Sequence, residues 1–396
     1  MKRLLCSLLA AASLFTLTAC GGPSSSTSDP DPAYSAGSGS ASEEPAPPPV
    51  DEKEARIDAL LAQMTLEEKV GQLFFARVPE TDAAADVSKY HLGGYILFGR
   101  DTKDKTANDL IQAINSYQEA ASIPLLIGVD EEGGSVVRVS SNPHLRAKKF
   151  ASPQQLYAAG GMDAIVRDTH EKDVLLKALG FNVNLAPVAD VSTNSGDFIY
   201  DRSFGQDAVS TAEYVRAVVG QMREDGMGSV LKHFPGYGNN VDTHTGIAVD
   251  ERPLETFETS DFLPFKAGLE AGGDTVAVLV SHNIVDALTM EGVDAGLPAS
   301  LSLNVHITLG LMMDEANGGS VMMTDDLAMD AVKAYSKDGS AAVMALWAAN
   351  GLLIASDYRT QIPQVLAAVA DGTLDEFAIN LLCTQVLQWK QALGLI

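Results

Sequence analysis

Cysteine is scarce in this chain: three in 396 residues, with Cys6 and Cys20 both inside the first twenty. Beyond them Cys383 stands alone in an apolar helical pattern, so no intramolecular disulfide and no cysteine metal site is expected there. Basic residues are also few, 27 Lys and Arg against 52 Asp and Glu, a formal charge of -25. A surface of that sign argues against nucleic acid as a partner. No glycine-rich phosphate fingerprint follows any predicted strand. Long apolar runs are missing apart from Leu4 to Leu17, which is a secretory signal in its basic-flanked setting and not a membrane-spanning helix.

That first segment, residues 1–19, begins with Lys2 and Arg3 and ends in Leu17-Thr18-Ala19-Cys20, which resembles the lipobox of bacterial lipoproteins. The resemblance implies cleavage before Cys20, lipidation of that cysteine and an extracytoplasmic protein anchored to the bacterial cell membrane by acyl chains. Losing Lys2 and Arg3 leaves 25 basic against 52 acidic residues, a net charge of -27. Residues 21–52 are Gly, Ser, Pro, Asp and Glu with almost no large apolar side chain. They lack the surface needed to form a core and read, with Cys20, as a flexible spacer. Folding is expected from residue 53 to 396, a length ordinary for one (β/α)8 barrel domain.

Short apolar or β-rich runs recur at Leu73–Arg77, Tyr95–Phe98, Leu125–Val129, Val183–Ala186, Ser229–His233, Ala277–Ser281, Ser320–Thr324 and Leu352–Ala355. Segments of helical period lie between most of them, including Ala212–Arg223, Phe262–Ala271 and Gly339–Ala349. Alternation of this kind predicts an α/β fold with parallel strands, and eight strands predict a barrel. Thr65-Leu66-Glu67-Glu68 is a capping-box pattern opening a helix through Val70 and Leu73.

The polar residues gather where such a barrel would use them. Asp130, Asn184, Lys232 with His233, His282, Asp325 with Asp326, and Asp357 all fall at or just past the C-terminal end of a predicted strand. In a parallel barrel that edge is where catalytic groups converge. A helix N-cap accounts for an isolated Asp or Asn there, but not for Lys-His. The densest cluster is Lys232-His233-Phe234-Pro235-Gly236-Tyr237-Gly238 followed by Asp242-Thr243-His244. Pro and Gly forbid an immediate helix, so the cation, imidazoles and carboxylate sit on a loop leaving a strand.

Six ordered motifs are similar to those of the family 3 glycoside hydrolases, within it the single-domain bacterial β-N-acetylglucosaminidases in lipoprotein form. They are Met64 to Gln72, Gly93 to Phe98, Val129-Asp130-Glu131-Glu132-Gly133-Gly134, Asp201 to Gly205, the Lys-His-Phe-Pro-Gly segment, and Thr324-Asp325-Asp326-Leu327-Ala328-Met329. The resemblance implies a TIM barrel that hydrolyses terminal N-acetylglucosamine from cell-wall-type glycans with retention, through a covalent intermediate. It makes Asp325 the nucleophile, with Asp326 capping the next helix or bracing the site. Asp242 and His244 become the acid/base pair, the carboxylate fixing the imidazole tautomer. Asp130, Arg138, Arg202, Lys232 and His233 match the sugar-binding positions. For the arginines structural readings stay open: Arg202 paired with Asp201, Arg138 at a solvated strand edge.

Four positions leave the family pattern. Tyr237 stands where His is usual and Asn239 where Asp is usual, and the loop from Gly238 to Asp242 is about one residue short. Ser135 replaces a common Arg, and Gly351 a common acidic residue. No second domain is expected after the barrel, so the site should be self-contained. No metal or organic cofactor is implied, and a monomer is expected. Competing readings are a β-glucosidase or an N-acetylglucosaminide phosphorylase of the same fold, or a catalytically silent glycan-binding lipoprotein.

Overall fold

Eight parallel strands form the centre of the molecule: β1 (Phe74–Arg77), β2 (Gly94–Leu97), β3 (Leu126–Val129), β4 (Val183–Asn184), β5 (Gly228–Phe234), β6 (Val276–Val280), β7 (Val321–Thr324) and β8 (Leu353–Ala355). Their order is β8-β1-β2-β3-β4-β5-β6-β7, and a parallel bridge between Met323 and Leu352 brings the two outer strands together. The Thr324 amide donates to the Leu352 carbonyl at 3.0 Å across that seam. The sheet is thus a nearly closed barrel, as the alternation predicts.

The computed structural model describes residues 52–242, 246–319, 321–335 and 341–396. The predicted signal segment, Cys20, the spacer as far as residue 51, and His244 lie outside the described residues. Residues 57–396 form one compact unit. Of the unit before it, residues 1–56, only Glu52–Arg56 are described, as the start of a helix running to Leu61.

Burial on both faces explains why these strands read as unbroken apolar runs. Every residue of Leu126–Val129 and of Val276–Val280 is buried, because side chains on one face fill the barrel and those on the other meet the helices. Phe74, Phe75, Tyr95 and Trp389 are among the largest fully buried side chains. Truncating one of the buried Phe residues to Ala should cost about 3–5 kcal/mol in lost contacts and cavity.

The helices follow their local signals. Thr65 accepts from the Glu68 amide at 3.2 Å while Glu68 accepts from the Thr65 amide at 2.8 Å, closing the predicted capping box over Leu66–Gln72. The predicted Ala212–Arg223 helix extends to Ala208–Asp225, because Asp207 accepts from the Ser210 amide at 2.8 Å and caps it a turn earlier. The helix predicted from Phe262 ends at Gly272, one residue past the expected end. Alternating strand and helix aim every strand the same way, so the residues just past the strands share one rim.

Candidate active site

Asp130, Arg138, Arg202, Lys232, His233 and Asp325 line one cavity at that rim. Arg77, Glu132 and Asp326 join them, with Ile96, Phe98, Leu185, Leu279 and Ile354 as apolar lining. The cavity holds about 670 Å3 of space unfilled by protein, open to solvent. Lys232 and His233 are consecutive, so in a regular strand they would point to opposite faces. The register between β5 and β6 shifts between Leu231 and Phe234, and at this irregularity both side chains line the cavity.

A charge network fixes the Lys232 side. Lys232 Nζ contacts Asp130 Oδ1 at 2.7 Å and Glu132 Oε1 at 2.6 Å, and the lysine is 2% exposed. Arg202 donates to Glu132 twice, Nη2 to Oε1 at 2.8 Å and Nε to Oε2 at 3.1 Å. Burial alone would raise the Glu132 carboxyl, but Arg202 and Lys232 outweigh it and hold the group well below the usual carboxylate range. The same contacts overcome burial to raise Arg202 and Lys232 above their ordinary values. All three groups therefore stay charged through the physiological range. Arg202 pairs with Glu132 and not with its neighbour Asp201, and Arg138 points to Asp130, Nη2 to Oδ2 3.8 Å.

His233 is held from two sides. Its Nδ1 lies 2.8 Å from Asp190 Oδ2, and its Nε2 lies 3.2 Å from Arg202 Nη2. Arg202 can only donate, so Nε2 presents a lone pair and the proton sits on Nδ1, facing Asp190. Asp190 also accepts from the His233 amide at 3.1 Å and the Tyr237 amide at 2.7 Å. Tyr237, at one of the departures from the family pattern, is buried and meets the imidazole edge-on with ring centroids 5.1 Å apart.

Across the cavity Asp325 follows β7 and is half-buried. Its amide donates to the Val280 carbonyl at 3.1 Å, and its Oδ1 accepts from the Asp326 amide at 2.8 Å. The neighbouring Asp326 has different work: its carboxylate pairs with Arg77 and accepts from the Ala328 amide at 2.9 Å. Burial raises the Asp326 carboxyl, and Arg77 opposes that rise. His282 holds the Asp326 carbonyl at 3.0 Å through Nε2. Both aspartates line the cavity, but Asp326 is in addition bound to Arg77 and to the turn that follows. Asn184 braces as well, accepting from the Glu131 amide at 3.0 Å and donating to its carbonyl at 3.2 Å.

Asp242 is half-buried on the loop after β5 and is not among the residues lining this cavity. His244 falls outside the described residues. Sequence reading assigned no role to Glu132, Asp190 or Arg77. Glu132 was visible inside the acidic turn, and Arg77 as a cation ending an apolar strand, the same signal that exposes Lys232. Among the described residues no cluster of His, Cys, Asp and Glu is disposed to hold a metal ion.

A constellation of paired carboxylates and cations at the C-terminal rim of a barrel suits binding of hydroxyl-rich ligands. Comparison with known proteins narrows it. Residues 65–389 match the glycosyl hydrolase family 3 N terminal domain. A beta-hexosaminidase of Xanthomonas campestris pv. campestris is 31% identical over 309 residues, 76% of this chain and 88% of that protein. One from Xylella fastidiosa is 31% identical over 252 residues, 61% of this chain and 69% of that protein. The solved family 3 beta-N-acetylglucosaminidase from Paenibacillus sp. str. FPU-7 superposes with a TM-score of 0.75 at 30% identity, covering 84% of this chain and 63% of that one. This chain therefore belongs to glycoside hydrolase family 3.

Proposed function

We propose that the protein is an exo-acting retaining β-N-acetylglucosaminidase that releases terminal N-acetylglucosamine from cell-wall-type glycans. The observation that carries this is Asp325 at the end of β7, lining one cavity with Asp130, Arg202, Lys232 and His233, in a chain whose family relatives are named beta-hexosaminidases. In this reading Asp325 attacks the anomeric carbon while the bond to the leaving oxygen breaks. His244 gives that oxygen its proton, with Asp242 fixing the imidazole. The imidazole then takes a proton from water, whose oxygen displaces Asp325 and restores the original configuration.

The charge network suits the binding half of this task. Lys232 and Arg202 are neutralised by fixed carboxylates, so their remaining donors are already aimed before a sugar arrives. Asp130 retains acceptor capacity for hydroxyls. Sequence supports a second part of the reading: lipidation of Cys20 after cleavage at the lipobox-like Leu17-Thr18-Ala19-Cys20, with the spacer holding the barrel off the membrane. None of the described helices is long and apolar enough to cross a membrane.

Assaying nitrophenyl N-acetylglucosaminide beside the glucoside, with and without phosphate, tests the substrate. Preference for the N-acetylated sugar with no phosphate dependence is expected; glucoside preference would sink the assignment, and a glycosyl phosphate product would make the enzyme a phosphorylase. For the anchor, Cys20→Ala should move the protein from the membrane fraction to the soluble one. An unchanged distribution would refute lipidation.

A further inference from the structure

The loop that leaves β5 carries Asp242 and His244 and returns at Asp250 to Arg252. One side chain ties its two ends together. Arg252 Nη2 donates to the Gly236 carbonyl at 3.1 Å and to Asp250 Oδ2 at 2.8 Å, Nε lies 3.0 Å from both Asp250 oxygens, and Nη1 lies 3.1 Å from both oxygens of Asp261. The guanidinium also lies over the Phe257 ring, 4.4 Å from its centroid. Asp250 and Asp261 are 2% and 1% exposed. A second tie runs parallel to the first: Asn240 Nδ2 donates to Asp250 Oδ2 at 2.7 Å and to the Tyr237 carbonyl at 2.8 Å.

The glycines of the Lys-His-Phe-Pro-Gly-Tyr-Gly segment make room for this arrangement. A Cβ on Gly236 would come within 2.3 Å of Asp261 Oδ1, and one on Gly238 within 2.5 Å of Arg252 Cζ. Gly236 and Gly238 also have φ of 124° and 53°, which side chains resist. The returning limb, Val249–Asp250, pairs in parallel with Ile284–Val285. That partner follows His282, whose ring holds the Asp326 carbonyl beside Asp325. Arg252 thus joins the start of the loop, its return and the helical segment carrying Asp261, and the return limb is registered to the turn bearing the nucleophile candidate.

We infer that Arg252 is a positioning residue: bridging Gly236, Asp250 and Asp261, it sets the loop ends so that the proton-donating pair meets the leaving oxygen. This rests on the acid/base reading of Asp242 and His244 given above. A group acting only through a proton donor matters most where the leaving group needs a proton.

The test compares Arg252→Met and His244→Gly on a disaccharide substrate and on an activated dinitrophenyl N-acetylglucosaminide, following cleavage of the glycosidic bond in single turnovers. Arg252→Met should slow the disaccharide by roughly 10- to 100-fold while the activated substrate loses about threefold or less, a split within what general acid catalysis supplies. In the His244→Gly background the Arg252 change should add almost nothing, since the two act in one unit. Gly238→Ala should reproduce the selective loss from the other side of the contact. Should Arg252→Met fail to fold, Arg252→Lys, which keeps the charge without the planar fork, is read the same way. Equal loss on both substrates, or full additivity with His244→Gly, would overturn the inference and leave Arg252 a structural residue. If His244→Gly itself shows no dependence on the leaving group, the acid/base reading fails first and the inference with it.

Discussion

Around Glu132 one carboxylate is held by two cations, Lys232 and Arg202; around Arg252 one cation is held by two carboxylates, Asp250 and Asp261. The two clusters flank the same segment, one lining the cavity and the other fastening the loop that leaves it. Their stoichiometry decides how burial acts. At Glu132 the cations outweigh desolvation and the carboxyl is held low. At Asp261 burial prevails over Arg252, with Asp190 and Asp250 adding repulsion, and the carboxyl is pushed up to about 6. One cluster is a fixed charge pattern, the other a mechanical tie in which the Asp261 carboxyl takes up a proton in mild acid.

Removing the shared anion should have the largest effect. Glu132→Gln leaves Lys232 and Arg202 buried without their common partner, a change that typically costs about 3–5 kcal/mol. A clear fall in melting temperature and a raised KM are expected, and a variant as stable as the parent would show that the network is not cooperative. Asp261→Asn sharpens the contrast through pH. Its folded-state pKa lies above that of an ordinary Asp carboxyl, so proton binding by the parent stabilises the fold below about pH 4, and this benefit is lost as pH rises through about 6. The Asn variant should therefore gain on the parent between pH 4 and 7, by up to about 3 kcal/mol at 1.4 kcal/mol per pKa unit. Denaturant unfolding at the two pH values measures it; a constant difference would contradict the titration. Glu132→Gln should show the opposite sign in a lower window, its deficit constant above the ordinary Glu pKa of about 4.3 and shrinking only as the medium is acidified below it.

Asp190→Asn should have the smallest effect. The amide can offer a donor where His233 Nδ1 also donates, so the imidazole loses its fixed tautomer. Losing a charged hydrogen bond of this kind costs about 1.5–3 kcal/mol. A fall in kcat/KM of roughly 10- to 100-fold is expected, and an unaltered value would remove Asp190 from the binding framework.

What the sequence disclosed divides along the same line. All eight strands are legible as apolar runs because burial on both faces leaves no alternation to blur them. Asp325, Lys232 and His233 are legible because a charge that ends such a run has few structural reasons to be there. Glu132 and Asp190 were not assigned, since their partners Arg202 and His233 lie 70 and 43 residues away, and no local pattern marks a long-range ion pair. Arg252 pairs with carboxylates only 2 and 9 residues away, but its tie to the Gly236 carbonyl, 16 residues back, leaves no mark in the sequence. Arg202 shows the converse error risk: its sequence neighbour Asp201 offered a plausible partner, while the fold supplies Glu132. The helix boundary at Ala208 moved for a local reason, the Asp207 cap, that periodicity of apolar residues does not register.

The central claim is that Asp325 forms the covalent bond to the sugar. Treatment with a fluorinated N-acetylglucosamine-type inactivator, followed by proteolysis and mass spectrometry, tests it most directly. The account predicts a glycosylated peptide containing Asp325. A label on a peptide lacking Asp325, or no label on an active enzyme, would contradict it.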